Sequence, residues 1–231
     1  ENSDVPLADV AHTLAVGRER FPVRRSLVCG HREEAVSLLR NRTPGRVRTR
    51  VEQRRQRDVV FAFPGAGAEH TNMARALYAA EPRFRAELDR CIAAHSDPEV
   101  LRATLFPAET PDQREPIGDS SLAHPALVAV EVALARTWIS WGIEPAALIG
   151  YSLGEYAAAC IADVLSIEDA LALVQLRGEL FATLPPGTMI GVDRAAESVQ
   201  PMLDPTCAVA GINAPDLCTL SGPVASINDL A

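Results

Sequence analysis

In AALIGYSLGEYAAACIAD, residues 146–163, one serine stands between two glycines where an apolar run gives way to a helical pattern. A serine at a sharp strand-to-helix turn is lifted clear of the sheet, where its hydroxyl can attack a bound carbonyl. Gly150 and Gly154 lack the Cβ atoms that would clash in such a turn. The backbone N–H of Leu153 opens the helix and points at the oxygen of that carbonyl. Ser152 is therefore a candidate nucleophile with half of an oxyanion hole beside it. The alternative is an ordinary glycine-flanked turn, and G-x-S-x-G alone is a weak pattern.

The other half of such a hole should come from a second strand-end loop. FPGAG, residues 63–67, follows the apolar run 59–63 and offers the backbone N–H of Ala66. A nucleophilic serine also needs a base. The five histidines, His12, His31, His70, His95 and His124, all precede Ser152. His70 follows the FPGAG loop and His124 precedes a helix, so either could reach the pocket, but neither spacing marks a base. Arg177, in LVQLRGEL, lies near an apolar helical face made by Leu171, Val174 and Leu180. A guanidinium in such a place needs an anionic partner. That partner is either a substrate carboxylate held in a bidentate clamp or a structural acid such as Glu155 or Glu179.

The elements that position these residues follow from periodicity. VVFAF and PAALIG read as strands, and SLGEYAAACIAD and SIEDALALVQLRGELFATL read as helices, the second opened by Ser166 three residues before Asp169. Strands alternating with helices predict an α/β parallel sheet. TNMARALYAAEPRFRAELDRCIAAH reads as helices interrupted at Pro82, and residues 96–120 as an acidic, proline-bearing loop. PALVAVEVALARTWISWG is a long, mostly apolar helix buried on two sides. From Gly187 the order is β-α-β-β-α, one strand short of a split β-α-β sheet, which predicts a domain that continues past the end of the chain. The first part of the chain reads as a small α-β-α unit ending in an Arg-rich stretch, with a boundary near Asp58. The predicted organisation is thus 1–57, 58–186 and 187–231.

The 231 residues carry a net charge of −8, divided as +5 over residues 1–58 and −13 over residues 59–231. The basic part is concentrated in RTPGRVRTRVEQRRQRD, residues 42–58, read as a solvated linker or a docking surface for an acidic partner. No apolar run approaches the eighteen or so residues that would cross a bilayer. Five scattered cysteines without C-x-x-C spacing are expected to be reduced, mostly buried thiols of a cytoplasmic protein, not a metal site or disulfide framework.

Taken together, these motifs resemble the malonyl-type acyltransferase domain of polyketide and fatty acid synthases. FPGAGAEH is similar to that family's FPGQGSQ loop, GYSLGEYAAACIADVLSIEDAL to its G-H-S-x-G-E segment, and LPPGTMIGV to the start of its small subdomain. Residues 5–57 resemble the linker that follows the ketosynthase in modular synthases. The resemblance implies an α/β-hydrolase-like large subdomain and a ferredoxin-like small one, here incomplete. It implies that Ser152 takes a malonyl-type unit from acyl-CoA, that Leu153 and Ala66 stabilise the oxyanion, and that Arg177 binds the free carboxylate. The phosphopantetheine thiol of an acyl carrier protein then accepts the unit, with no metal or redox cofactor. The implied partners are malonyl-CoA or a relative, the carrier protein and the synthase's ketosynthase domain, with no nucleic acid or membrane.

Four departures from the family pattern stand out. Ala66 occupies a glutamine position, Tyr151 a histidine position and His124 a glutamine position, so Tyr151 and His124 are candidate substrate-binding residues. The fourth is the family's catalytic histidine, which the resemblance places beyond Ala231. Leu153, where methylmalonyl enzymes often carry glutamine, leans toward malonyl. Two readings of other classes stand beside this one. An α/β-hydrolase-like esterase or thioesterase would share the serine turn without calling for Arg177, and a non-catalytic docking fragment would form no acyl-enzyme.

Overall fold

A computed structural model describes residues 5–19, 21–51, 57–109 and 113–230. The chain divides into two units, 1–58 and 59–231.

The first unit runs α1 (Leu7–Val16), β1 (Val23–Leu27), α2 (Arg32–Asn41) and β2 (Val47–Val51). The imidazole of His31 caps α2 by accepting from the Glu34 N–H at 3.3 Å, and Arg42 ends it with a left-handed φ of 48°. Strands β1 and β2 pair antiparallel, from Val23 opposite Val51 to Leu27 opposite Val47. Strand β2 corrects the reading of residues 42–58 as linker. VRTRV alternates as a strand should, and its arginines hid the alternation from a reading based on charge. Residues 52–56 of that stretch lie outside the described residues.

The second unit continues with β3 (Val59–Phe63), α3 (Arg75–Ala80), α4 (Pro82–Ala93), α5 (Pro98–Leu105), α6 (Ser120–Ser140), β4 (Pro145–Gly150), α7 (Gly154–Ile161) and α8 (Ile167–Ala182). Strands β3 and β4 pair parallel, with Phe63 opposite Gly150 at their C-terminal ends. Both strand ends therefore deliver their following loops to one place, as open α/β sheets do. Helix α5 is a second correction, because the 96–120 stretch is not all loop. Asp97 caps it by accepting from the Val100 N–H at 3.1 Å, and Pro98 sits in its first turn, where a missing N–H costs nothing. Residues 110–112 of that stretch lie outside the described residues.

The core is made where α6 meets its neighbours. Phe84, Leu88, Leu101, Leu105, Val128 and Leu171 are fully or almost fully buried there. Helix α6 has 21 residues and an 18-residue window of mean hydropathy 1.3, against the expectation that no segment would be so long and apolar. In this fold 72% of that window is buried, as in a central core helix. Helix α8 begins as its sequence indicated: Ser166 accepts from the Asp169 N–H at 3.0 Å and donates to the Asp169 carboxylate at 2.8 Å.

The second unit ends in β5 (Gly187–Val192), α9 (Ala196–Val199), β6 (Ala208–Ala214), β7 (Leu217–Pro223) and α10 (Val224–Asn228). These strands form an antiparallel sheet in the order β5-β7-β6, closed over a small core of Val199, Cys218, Leu220 and Ile227.

One buried group has a measurable consequence. Glu131 on α6 is 6% exposed, and neither carboxylate oxygen has a hydrogen-bond partner among the described residues. Buried Glu87, by contrast, is met by Arg83 at 2.7 Å and Arg90 at 3.4 Å. Burial pushes the Glu131 carboxyl from 4.5 up to about 8. The native state then holds a proton that the unfolded chain releases near 4.5, so this group's contribution to stability falls as pH rises from about 4.5 to about 8. Glu131→Gln, which keeps the neutral shape, should remove that slope. The unfolding free energy from urea titration should be higher for the variant than for the parent at pH 8, by on the order of 3 kcal/mol, and by much less at pH 5. Equal differences at the two pH values would refute the assignment.

Candidate active site

Ser152 sits where β4 turns into α7, with a left-handed φ of 52°. A non-glycine residue in that region stores strain, and the turn holds it from both sides. A Cβ at Gly150 would lie 2.3 Å from the Glu155 backbone nitrogen, and one at Gly154 would lie 2.3 Å from the Phe63 carbonyl oxygen and 2.5 Å from that of Pro64. Both glycines are therefore required by close backbone approach. Gly154→Ala forces backbone apart where no flexible side chain can give way. It should destabilise this unit by about 3 kcal/mol, read from the urea midpoint; an unchanged midpoint would contradict the packing described.

The loop after β3 lies directly against this turn. The Tyr151 N–H donates to the Phe63 carbonyl at 2.9 Å. A Cβ at Gly65 would stand 2.9 Å from the Tyr151 carbonyl oxygen and 3.3 Å from the Ser152 Cβ. Ala66 is thus one residue from the nucleophile turn. Among the described residues neither the Ala66 nor the Leu153 N–H donates to another group, while the Gly67 N–H is taken by Glu69 at 2.7 Å. Leu153 is fully buried, and its side chain packs into the core.

Arg177 reaches this site from α8. Its Nη2 donates to the Ser152 Oγ at 3.3 Å. It forms no ion pair among the described residues, and Glu179, one of the two structural partners the sequence left open, instead accepts from Gln175 at 3.0 Å. The other, Glu155, is exposed on α7 and also pairs with no cation among the described residues. The guanidinium of Arg177 lies over the Phe181 ring, 5.4 Å from its centroid.

His124 lies within α6, not before it: the helix starts at Ser120, capped by Asp119. It is buried, its Nδ1 has no hydrogen-bond partner among the described residues, and its ring meets Phe181 edge-on at 6.1 Å. Burial lowers its pKa, a hydrogen bond to the Val174 backbone opposes this, and the Arg177 charge lowers it further. Gly178 makes the assembly possible, because a Cβ there would lie 2.3 Å from the Ser120 carbonyl oxygen. Helix α8 can therefore lie on the start of α6 and bring Arg177, Phe181 and His124 together.

Tyr151 runs along Gly65, and its hydroxyl reaches the small sheet, 3.9 Å from where a Cβ on Gly211 would stand. None of the histidines hydrogen-bonds to Ser152 among the described residues. His70 Nδ1 donates to the Thr71 carbonyl at 2.7 Å, and His31 caps α2. Sequence reasoning thus singled out Ser152, Leu153, Ala66 and Arg177, which the fold places around one turn. It missed Phe181, whose only sequence signal is its position one helical turn after Arg177.

Residues 60–231 match the model of the acyl transferase domain family, and residues 1–39 match that described as CurL-like, PKS C-terminal. The chain belongs to the acyltransferase family of polyketide synthases, with its preceding linker region. Among curated relatives of this acyltransferase chain is a phenolphthiocerol/phthiocerol polyketide synthase subunit of Mycobacterium tuberculosis, 37% identical over 100% of the chain and 16% of the relative. Polyketide synthase GfsA of Streptomyces halstedii is 35% identical over 96% of the chain and 3% of the relative. The acyl transferase domain of ZmaA superposes with a TM-score of 0.83 at 35% identity, over 99% of this chain and 55% of that one. That of SpnD, in complex with 2-(pent-4-yn-1-yl)malonyl, gives 0.82 at 35% identity, over 100% and 54%. The acyltransferase chain therefore spans a little over half the length of these solved relatives and 16% or less of these curated ones.

Proposed function

We propose that this domain loads a malonyl-type unit from acyl-CoA onto Ser152 and passes it to the phosphopantetheine thiol of an acyl carrier protein. The observation that carries this reading is Arg177: a guanidinium 3.3 Å from the Ser152 Oγ, with no acidic side chain neutralising it among the described residues. A neutral acyl group gives such a cation nothing to bind, whereas the free carboxylate of a malonyl ester satisfies it. An esterase has no need of it. That the related SpnD domain was crystallised with a substituted malonyl supports the same substrate class.

In this reading the Ser152 Oγ attacks the thioester carbon, and the Leu153 and Ala66 N–H groups stabilise the oxyanion. The Oγ–C bond forms, the C–S bond breaks, and the serine proton leaves with the CoA thiol through a general base, a role assigned to none of the chain's own histidines. The carrier thiol then reverses these steps. Arg177 holds the carboxylate through both halves, so the acyl carbonyl stays oriented at the serine while the carrier thiol attacks it. Tyr151 bounds the cleft on the side of the small sheet, and His124 acts behind Arg177. Leu153 bears on extender choice only through its backbone and its packing. The ketosynthase of the same synthase is the proposed neighbour of the first unit.

Steady-state transfer from malonyl-CoA to a phosphopantetheinylated carrier protein tests this. Parallel double-reciprocal lines with varied carrier are expected of a covalent intermediate. Intersecting lines, or transfer of acetyl units as fast as malonyl, would contradict it.

A further inference from the structure

We infer that Phe181 is a positioning residue: its ring face holds the Arg177 guanidinium so that the N–H edge is left free for a substrate carboxylate. The inference rests on the malonyl-type reading above and deepens it.

An arginine on a flexible stem has many rotamers, and a clamp must spend one of them at little cost. The usual restraint is an acidic partner, but that would occupy the same N–H fork the substrate needs. A ring beneath the guanidinium restrains it through its face and uses none of its donors. Arg177 Cζ is 5.4 Å from the Phe181 centroid, and the two residues are one turn apart on α8, so they share a face. The ring is itself held. His124 projects from α6 and meets it edge-on, with centroids 6.1 Å apart and planes at 88°. His124 is only 7% exposed, so it cannot swing away, and burial favours its uncharged form, which does not repel Arg177. The only side-chain hydrogen bond of Arg177 among the described residues is the one to the Ser152 Oγ, at 3.3 Å. The order of support runs from His124 through Phe181 to Arg177, and ends on the nucleophile.

The test uses the Ser152→Ala chain as parent, so that binding is read without turnover. Calorimetric titration with malonyl-CoA and acetyl-CoA gives the ratio of the two affinities. Phe181→Leu should reduce that ratio about threefold to fivefold, through malonyl-CoA alone, and Phe181→Tyr should restore it. The Arg177 Nε–H resonance, shielded by the ring in the parent, should shift on Phe181→Leu and return with Phe181→Tyr, which a merely structural role would not produce. Phe181 is 45% exposed, so both substitutions should fold; Phe181→Met carries the same expectation as Phe181→Leu if they do not. A malonyl preference that survives Phe181→Leu unchanged, with the Nε–H resonance unmoved, overturns the inference. A parent that shows no preference for malonyl-CoA overturns the substrate reading instead, and in that case the resonance alone decides the Arg177–Phe181 contact.

Discussion

Ser152→Ala should leave the protein unlabelled by malonyl-CoA and reduce transfer to background, a loss on the order of 10^6-fold if the serine is the nucleophile. The size of the effect follows from the geometry. The left-handed φ of 52° at Ser152 and the two glycines that admit the backbone approach present its Oγ, and the N–H groups of Leu153 and Ala66, which donate to no other group among the described residues, are proposed for the oxygen of the carbonyl it attacks. Among the described residues, no other hydroxyl hydrogen-bonds to Arg177. The fold should survive, because Ser152 is exposed and, among the described residues, its side chain hydrogen-bonds only to Arg177. Unchanged thermal unfolding with lost labelling is the expected pair of results. Labelling retained in Ser152→Ala would move the nucleophile elsewhere.

Arg177→Ala should have the second largest effect, and a selective one. Two charge-assisted hydrogen bonds to a carboxylate contribute a few kcal/mol, discounted here because Arg177 is only half-buried. Malonyl loading should therefore fall about 100-fold, while labelling by acetyl-CoA should change less than about threefold. This split separates the clamp from general damage to the site, which would slow both donors alike. Equal loss for the two donors would remove the carboxylate role from Arg177. Arg177→Lys should recover little, because a point charge does not reproduce the planar fork and stacks less well on Phe181.

Much of this site is written locally. The turn at Ser152, the loop at Ala66 and the Ser166–Asp169 cap each depend on a few consecutive residues, so their types and spacing announce them. What the sequence left open depends on approach between segments far apart in the chain. Whether Arg177 met a structural acid or was left for a substrate carboxylate could not be read from helical spacing, since Glu179 stands two residues away on the same helix and Glu155 on the helix before it. The answer lies in Gly178, which admits the start of α6 against α8 and so turns Arg177 toward Ser152. Phe181 and His124 acquire their roles from the same contact. Helix α5 and strand β2 were missed for another reason: prolines and acids in one stretch, arginines in the other, outweighed a short cap signal and a five-residue alternation. Glu131 was invisible because nothing in its neighbours' identities says that no partner will meet it.

The most direct test of the central claim is to expose the protein briefly to malonyl-CoA, quench in acid, digest, and locate the adduct by tandem mass spectrometry. The account predicts a malonyl ester on Ser152 and nowhere else, formed in preference to an acetyl ester from an equimolar mixture of the two donors. An adduct on another residue, or an acetyl ester on Ser152 in equal amount, would contradict it.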